Sequence, residues 1–362
     1  MEVFTNFIFY FLAFIIVLSI IVFVHEFGHY YAAILNKVRV ERFSIGFGKE
    51  LFGWTDKRKT RWKVCMLPLG GYVKMFGEDP FTKQKISKKN KKYSFSDKKL
   101  YQRFIIVFSG PLANFIFGIV GYALLYTFIG ISFTPPIIKD IQKDSPAMIA
   151  GLEPGDEILS IDNKKIDNFR DIGTYLNIQK KENFNLNIKR DNLLITKSIS
   201  PIKKTQDFYG QKREILIIGI SSFEPERIKY NIFYSLYLGT KSTYEICSLT
   251  LFSLYQMIIG KGNFDDLGGP VKIAHFSGKM MEQGFLSFIN LIILLSISIG
   301  LINLFPIPVL DGGHLVMYCI EGILGKPINE NLQKKIYKIG FSLLITLAIL
   351  LTYNDIIGLF SK

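Results

Sequence analysis

The chain has 362 residues, 49% of them hydrophobic, with a mean hydropathy of +0.26 and a formal charge of +14. That is too apolar for an ordinary soluble protein and too polar for one wholly embedded in lipid, so several spans plus an extramembrane part are expected. The charge does not mark a nucleic-acid face: residues 37–103 hold 19 basic and 6 acidic residues, whereas 133–286 hold 20 and 18. A basic block between two apolar runs is the pattern of a cytoplasmic loop.

The fold class expected is a multi-span α-helical membrane protein of about four transmembrane helices, with a β-hairpin and one extracytoplasmic domain of mixed β/α structure. Residues 1–36 form the first span. The apolar run 7–35 has no basic leader and no small-residue cleavage site, so it reads as a retained helix rather than a signal peptide. Residues 37–103 form the basic cytoplasmic segment, 104–132 the second span and 133–205 the outer domain. Residues 206–285 follow, with an apolar stretch at 228–259 that Lys229, Lys241 and Glu245 interrupt; it reads as an amphipathic surface helix, not a fifth span. Residues 286–325 hold the third span and a proline-rich segment, and 326–362 the fourth. The charge bias puts both termini and the 133–230 domain outside.

The first apolar run carries His25-Glu26-Phe27-Gly28-His29 near its cytoplasmic end. Ionisable groups at membrane depth cost roughly 2.5–3.5 kcal/mol each, so they mark function. His25 and His29, at i and i+4, project from one helix face and can grip one metal, with Glu26 beside them as a general base. Two histidines leave a catalytic zinc one ligand short. Asp311 follows Pro306 and Pro308, which cannot continue a helix, and precedes Gly312-Gly313, which permit a sharp turn. Spacing alone leaves Asp311 equally readable as a ligand or as a loop carboxylate at the cytoplasmic rim. His314 reads as a supporting or structural residue rather than a ligand. Cys65, Cys247 and Cys319 are odd in number and far apart, which fits neither a disulfide framework nor a cysteine zinc site.

Trp62–Leu67 and Tyr72–Met75 flank Pro68-Leu69-Gly70-Gly71 and read as a hairpin turning at the glycines. In the outer segment, Pro154-Gly155-Asp156 is a turn before the alternating strand Ile158–Ile161. Lys88-Lys89-Asn90-Lys91-Lys92 is a solvated basic loop suited to anionic lipid.

Five blocks together resemble the site-2 protease family of intramembrane zinc metalloproteases (peptidase M50), in the bacterial branch typified by the regulator-of-sigma-E protease. They are HEFGH at 25–29, SIGFGKELFGW with MLPLGGYVKMFGED within 44–79, FSGPLANF at 108–115, DDLGGPVKIA at 265–274 and NLFPIPVLDGGH at 303–314. The resemblance covers nearly the whole chain. It implies a Zn2+ cofactor held by His25, His29 and Asp311, with Glu26 as general base. It also implies substrate contacts at Asn303 and at the sheet containing Gly70 and Gly71. The implied activity is regulated intramembrane proteolysis in the bacterial inner membrane. Implied substrates are membrane-spanning proteins such as trimmed anti-sigma factors, or signal-peptide remnants.

The residues that look like a PDZ module, Ser145-Pro146-Ala147 and Ala150–Ile161, imply capture of peptide or protein ends. Well-known enterobacterial members carry two such modules, and this sequence shows one. The expected partners are therefore membrane protein substrates, peptide ends and the lipid bilayer, with no nucleic acid. The alternative reading is a non-catalytic membrane adaptor, against which the intact His25, Glu26, His29 and Asp311 set speaks.

Overall fold

The computed structural model describes residues 2–78, 87, 90–208, 211–260 and 268–360; Asp79, Lys88, Lys89 and Asp265–Leu267 of the motifs above lie outside the described residues. In chain order the elements are α1 (Glu2–Leu35), β1 (Val40–Thr55), β2 (Arg61–Met75), α2 (Leu100–Phe128), β3 (Ile131–Phe133), β4 (Asp140–Ile141), α3 (Pro146–Ile149), β5 (Glu157–Ile161), β6 (Lys164–Lys165), α4 (Phe169–Gln179), β7 (Phe184–Arg190) and β8 (Leu193–Ile199). There follow β9 (Ile202–Phe208), β10 (Gln211–Ile217), β11 (Ile220–Ser221), β12 (Glu226–Ile228), α5 (Ile232–Ile258), α6 (Pro270–Glu282), α7 (Phe285–Asn303), α8 (Asp311–Leu324) and α9 (Glu330–Phe360). They divide into two compact units, residues 1–123 with 233–362, and residues 124–232.

Four helices are long and apolar enough to cross a membrane, over Ile8–Leu35, Leu100–Phe128, Phe285–Asn303 and Asn331–Ile357. An α-helix bonds its backbone internally, which is why such runs fold this way where water is scarce. By the same measure of length and composition α5 is not among them; its Lys241 and Glu245 lie 3.8 Å apart. Ala13, Val17 and Ile21 of α1 pack on Phe288 and Ile292 of α7 in one apolar cluster. A second cluster joins Ala33 of α1, Phe43 of β1, Val73 of β2, Ile106 of α2 and Leu315 of α8. Four separate stretches of chain thus converge on the end of α1 that carries the histidines.

β1 and β2 pair antiparallel with several register shifts, so that each strand bends back on itself. Phe43 lies opposite both Val73 and Trp62, and Trp62 lies opposite both Phe43 and Trp54. The sequence-based hairpin is therefore corrected. Trp62–Leu67 and Tyr72–Met75 do not pair across Pro68–Gly71, because Val40–Ile45 lies between them. The closing turn is Asp56–Thr60 instead. There Asp56 Oδ1 accepts from the Arg58 and Thr60 amides, both at 2.9 Å, and Lys59 takes φ 66°. Asp56 Oδ2 also accepts from Trp62 Nε1 at 3.0 Å and Tyr30 Oη at 3.1 Å, tying the turn to α1.

In the second unit β6, β5, β7 and β8 form one sheet. Phe184, Leu186 and Ile188 alternate inward from β7 and meet Ile172 and Leu176 of α4. Ile218 belongs to the same core, so this unit runs on past residue 205, where the sequence was read to end it. The turn before β5 is anchored by Asp156, whose carboxylate meets Arg190 Nε at 2.7 Å and accepts from the Glu153 amide at 2.9 Å.

Candidate metal centre

His25 and His29 stand one turn apart on α1, their Nε2 atoms 3.2 Å from each other. Asp311 Oδ2 lies 3.0 Å from His25 Nε2 and 3.5 Å from His29 Nε2. Three potential ligand atoms, one from each residue, fall within 4.8 Å of one another. Asp311 Oδ2 is buried yet makes no hydrogen bond. Converging lone pairs without shared protons repel, and a buried carboxylate oxygen without a donor is costly; a cation between them removes both problems. Two imidazoles and a carboxylate are a donor set that fits zinc, with a position left open for chemistry.

The local backbone explains how Asp311 gets there. α7 ends at Asn303, Pro306 and Pro308 withhold the N–H groups that a continuing helix needs, and Val309 takes φ 87°. α8 then starts at Asp311 itself. Gly312 and Gly313 do not make the sharp turn expected of them. They lie in the first turn of α8, where added Cβ atoms would come within 2.3 Å of the Leu304 carbonyl and 2.4 Å of the Ile307 carbonyl. Glycine is needed for close approach, and the turn is made by the residues before it.

α2 holds the histidines from the other side. His29 Nδ1 donates to the Ile106 carbonyl at 2.9 Å, which turns the Nε2 lone pair toward the cluster. Ser109 Oγ donates to the Gly28 carbonyl at 2.9 Å. A Cβ on Gly110 would stand 2.3 Å from His29 Nε2, so only glycine lets α2 come this close.

His25, Glu26, His29, Gly70, Gly71, Asn303 and Asp311 all line one cavity of about 1620 Å³. Gly71 faces α1 directly, since a Cβ there would meet Val22 Cγ1 at 2.6 Å and Glu26 Cγ at 3.1 Å. Residues 71–75 pair with β1 on one side, and the same residues line the cavity. His314 Nδ1 lies 3.1 Å from Tyr337 Oη. Farther along the cavity, Arg103 donates to Glu321 Oε2 at 2.9 Å and stacks over the Tyr318 ring. Sequence reasoning missed Asn114, Tyr337 and the Arg103–Glu321 pair. Asn114, buried in α2 with Nδ2 3.3 Å from His25 Nδ1, had a signal, a carboxamide in the middle of an apolar helix; the pair joins residues 218 apart and had none.

The family model for "Peptidase family M50" matches residues 13–347. A Rickettsia conorii protein named a candidate zinc metalloprotease is 40% identical over 97% of this chain and 99% of its own length. One from Agrobacterium fabrum, similarly named, is 39% identical over 97% of this chain and 96% of its own. A Pasteurella multocida relative, similarly named, is 29% identical over 98% of this chain and all of its own length. A solved PDZ domain of a Listeria monocytogenes protein aligns with 25% of the chain at 20% identity, with a TM-score of 0.21. The chain belongs to peptidase family M50.

Proposed function

We infer that this protein is a zinc metalloprotease that cleaves peptide bonds in or near the transmembrane segments of membrane proteins. The observation that carries this reading is the meeting of His25, His29 and Asp311, from opposite ends of the chain, in a cavity that Glu26 also lines. His25, His29 and Asp311 would hold the metal, each offering one donor atom. Zinc there supplies a Lewis acid that polarises the scissile carbonyl and acidifies water.

Glu26 is the general base: its carboxylate takes the proton of the attacking water and later passes it to the leaving amine. A helical substrate hides its carbonyls in i to i−4 bonds, so it must be held extended to be cut. The edge of residues 71–75, which Gly71 lets pack close against α1 beside Glu26, offers a strand partner for the unwound chain, with Gly70 and Gly71 at its start. Asn303, at the end of α7 on the same cavity, is placed to bind substrate backbone. The four apolar helices support a multi-pass protein of the bacterial inner membrane, with the 124–232 unit outside as a PDZ-type module that takes peptide ends. Trimmed single-span regulators and signal-peptide remnants fit as substrates.

The test is co-expression with single-span candidate substrates. Wild type is expected to yield shortened fragments, and Glu26→Gln to keep zinc while cleavage falls by more than about a hundredfold, the scale of general-base catalysis. Undiminished cleavage by Glu26→Gln would remove this mechanism.

A further inference from the structure

Asn114 lies fully buried in α2. Its Nδ2 is 3.3 Å from His25 Nδ1, while its Oδ1 is buried with no hydrogen-bond partner. This orientation is unfavourable twice over. The carboxamide oxygen lacks a donor, and a donor aimed at His25 Nδ1 obliges the neutral ring to carry its proton on Nε2. Yet Nε2 is the nitrogen that faces Asp311 Oδ2 at 3.0 Å and His29 Nε2 at 3.2 Å, where a lone pair is wanted. The two ends of a carboxamide are nearly equal in size, so a half-turn exchanges them without moving anything else. Oδ1 then accepts from His25 Nδ1–H, and Nε2 presents its lone pair to the cluster.

His29 already has the corresponding arrangement. Its Nδ1 meets the Ile106 carbonyl, which can only accept. Ile106 and Asn114 are both on α2, about two turns apart, so one helix would set the tautomers of both histidines. The Asn114 backbone is itself tied to α7, its carbonyl accepting from Ser296 Oγ at 3.4 Å.

We propose that Asn114 is a positioning residue for the metal: its side-chain oxygen accepts from His25 Nδ1–H and fixes that ring's tautomer and orientation. This rests on the metal-centre reading above. The experiment is zinc affinity by chelator competition on the purified full-length chain in detergent, for wild type, His25→Ala, Asn114→Asp and Asn114→Leu, with apo melting temperatures alongside. Asn114→Leu is expected to weaken zinc 10- to 100-fold, as loss of a ligand's supporting acceptor does elsewhere. Asn114→Asp, which can accept but not donate, is expected to stay within about threefold of wild type. If Asn114→Leu does not fold, Asn114→Ala takes its place with the same expectation.

Wild-type affinity in Asn114→Leu or Asn114→Ala would overturn the proposal, even with a lowered melting temperature, since only a packing role would remain. Equal losses in Asn114→Asp and Asn114→Leu would also overturn it. Wild-type affinity in His25→Ala would instead reject the metal centre itself, and the positioning role with it.

Discussion

Gly110 shows how much of the site depends on atoms that are absent. Its missing side chain gives His29 the space its ring occupies, because a Cβ there would lie 2.3 Å from Nε2. Overpacking a tight core costs about 1–3 kcal/mol, and here the strain falls on His29, one of the three residues that could hold the metal. Gly110→Ala is therefore expected to weaken zinc by at least about tenfold, a factor worth ~1.4 kcal/mol, with the apo helices still formed by circular dichroism. Unchanged zinc affinity would mean that α2 does not press on His29 as described. At this scale the sequence was partly legible. His25, Glu26 and His29 stand out because helical geometry turns an i, i+4 spacing into one face. Asp311 does not, because nothing local tells a ligand from a rim carboxylate. Its position follows from two prolines, a residue at φ 87° and glycines that let a helix start against the preceding loop. Asn114 was passed over because a single carboxamide has no spacing rule.

Among the elements, apolar helices were easy to read and the strands were not. Length and apolarity alone mark a span, whereas strand pairing depends on register, and in β1 and β2 the register shifts repeatedly. Pro68–Gly71 looks like a turn in sequence, while the actual turn is organised by one carboxylate, Asp56, at the start of a basic run.

The second unit allows a pH prediction. Burial would raise the Asp156 carboxyl, but the Arg190 guanidinium, the Glu153 amide and Lys197 outweigh it and hold the carboxyl below the ordinary carboxylate range. A depressed folded value means that the native state binds fewer protons. Its contribution is thus complete above the unfolded carboxylate's value of about 3.9 and drains away as pH falls through the lower folded value. Asp156→Asn is expected to destabilise this unit at neutral pH by about 3 kcal/mol, as loss of one partner of a buried pair does. Hydrogen exchange of β5 and β7 amides in the full chain reads this out. The variant should also have lost the wild type's decline in protection below about pH 4; equal protection in both proteins at neutral pH would contradict the role given to the pair.

The same unit holds a strand position closed. Asn177 of α4 accepts from the Leu216 amide at 2.8 Å and donates to the Leu216 carbonyl at 3.0 Å, occupying the β10 groups that an added strand would use. Asn177→Ala is expected to speed exchange of the Leu216 amide about fivefold or more, since such a bond is worth about 1 kcal/mol and its loss lets water in. No change in that amide would show that the edge is held by something else.

At the scale of the whole molecule, the first unit closes a cavity with residues drawn from both ends of the sequence. The histidines come from the first apolar helix and the carboxylate from residue 311, brought together by the clusters that link α1, β1, β2, α2 and α8. That convergence is compatible with membership of peptidase family M50, whose model matches residues 13–347. The most direct measurement is zinc content per chain, by mass spectrometry of metals, for the purified full-length protein and for Asp311→Ala. One zinc per wild-type chain is expected, and less than about a tenth of that in the variant after brief chelator treatment, because a site built on His25, His29 and Asp311 would lose one of its three protein donors. Equal zinc in the two proteins would show that Asp311 is not a ligand and that the metal is held elsewhere.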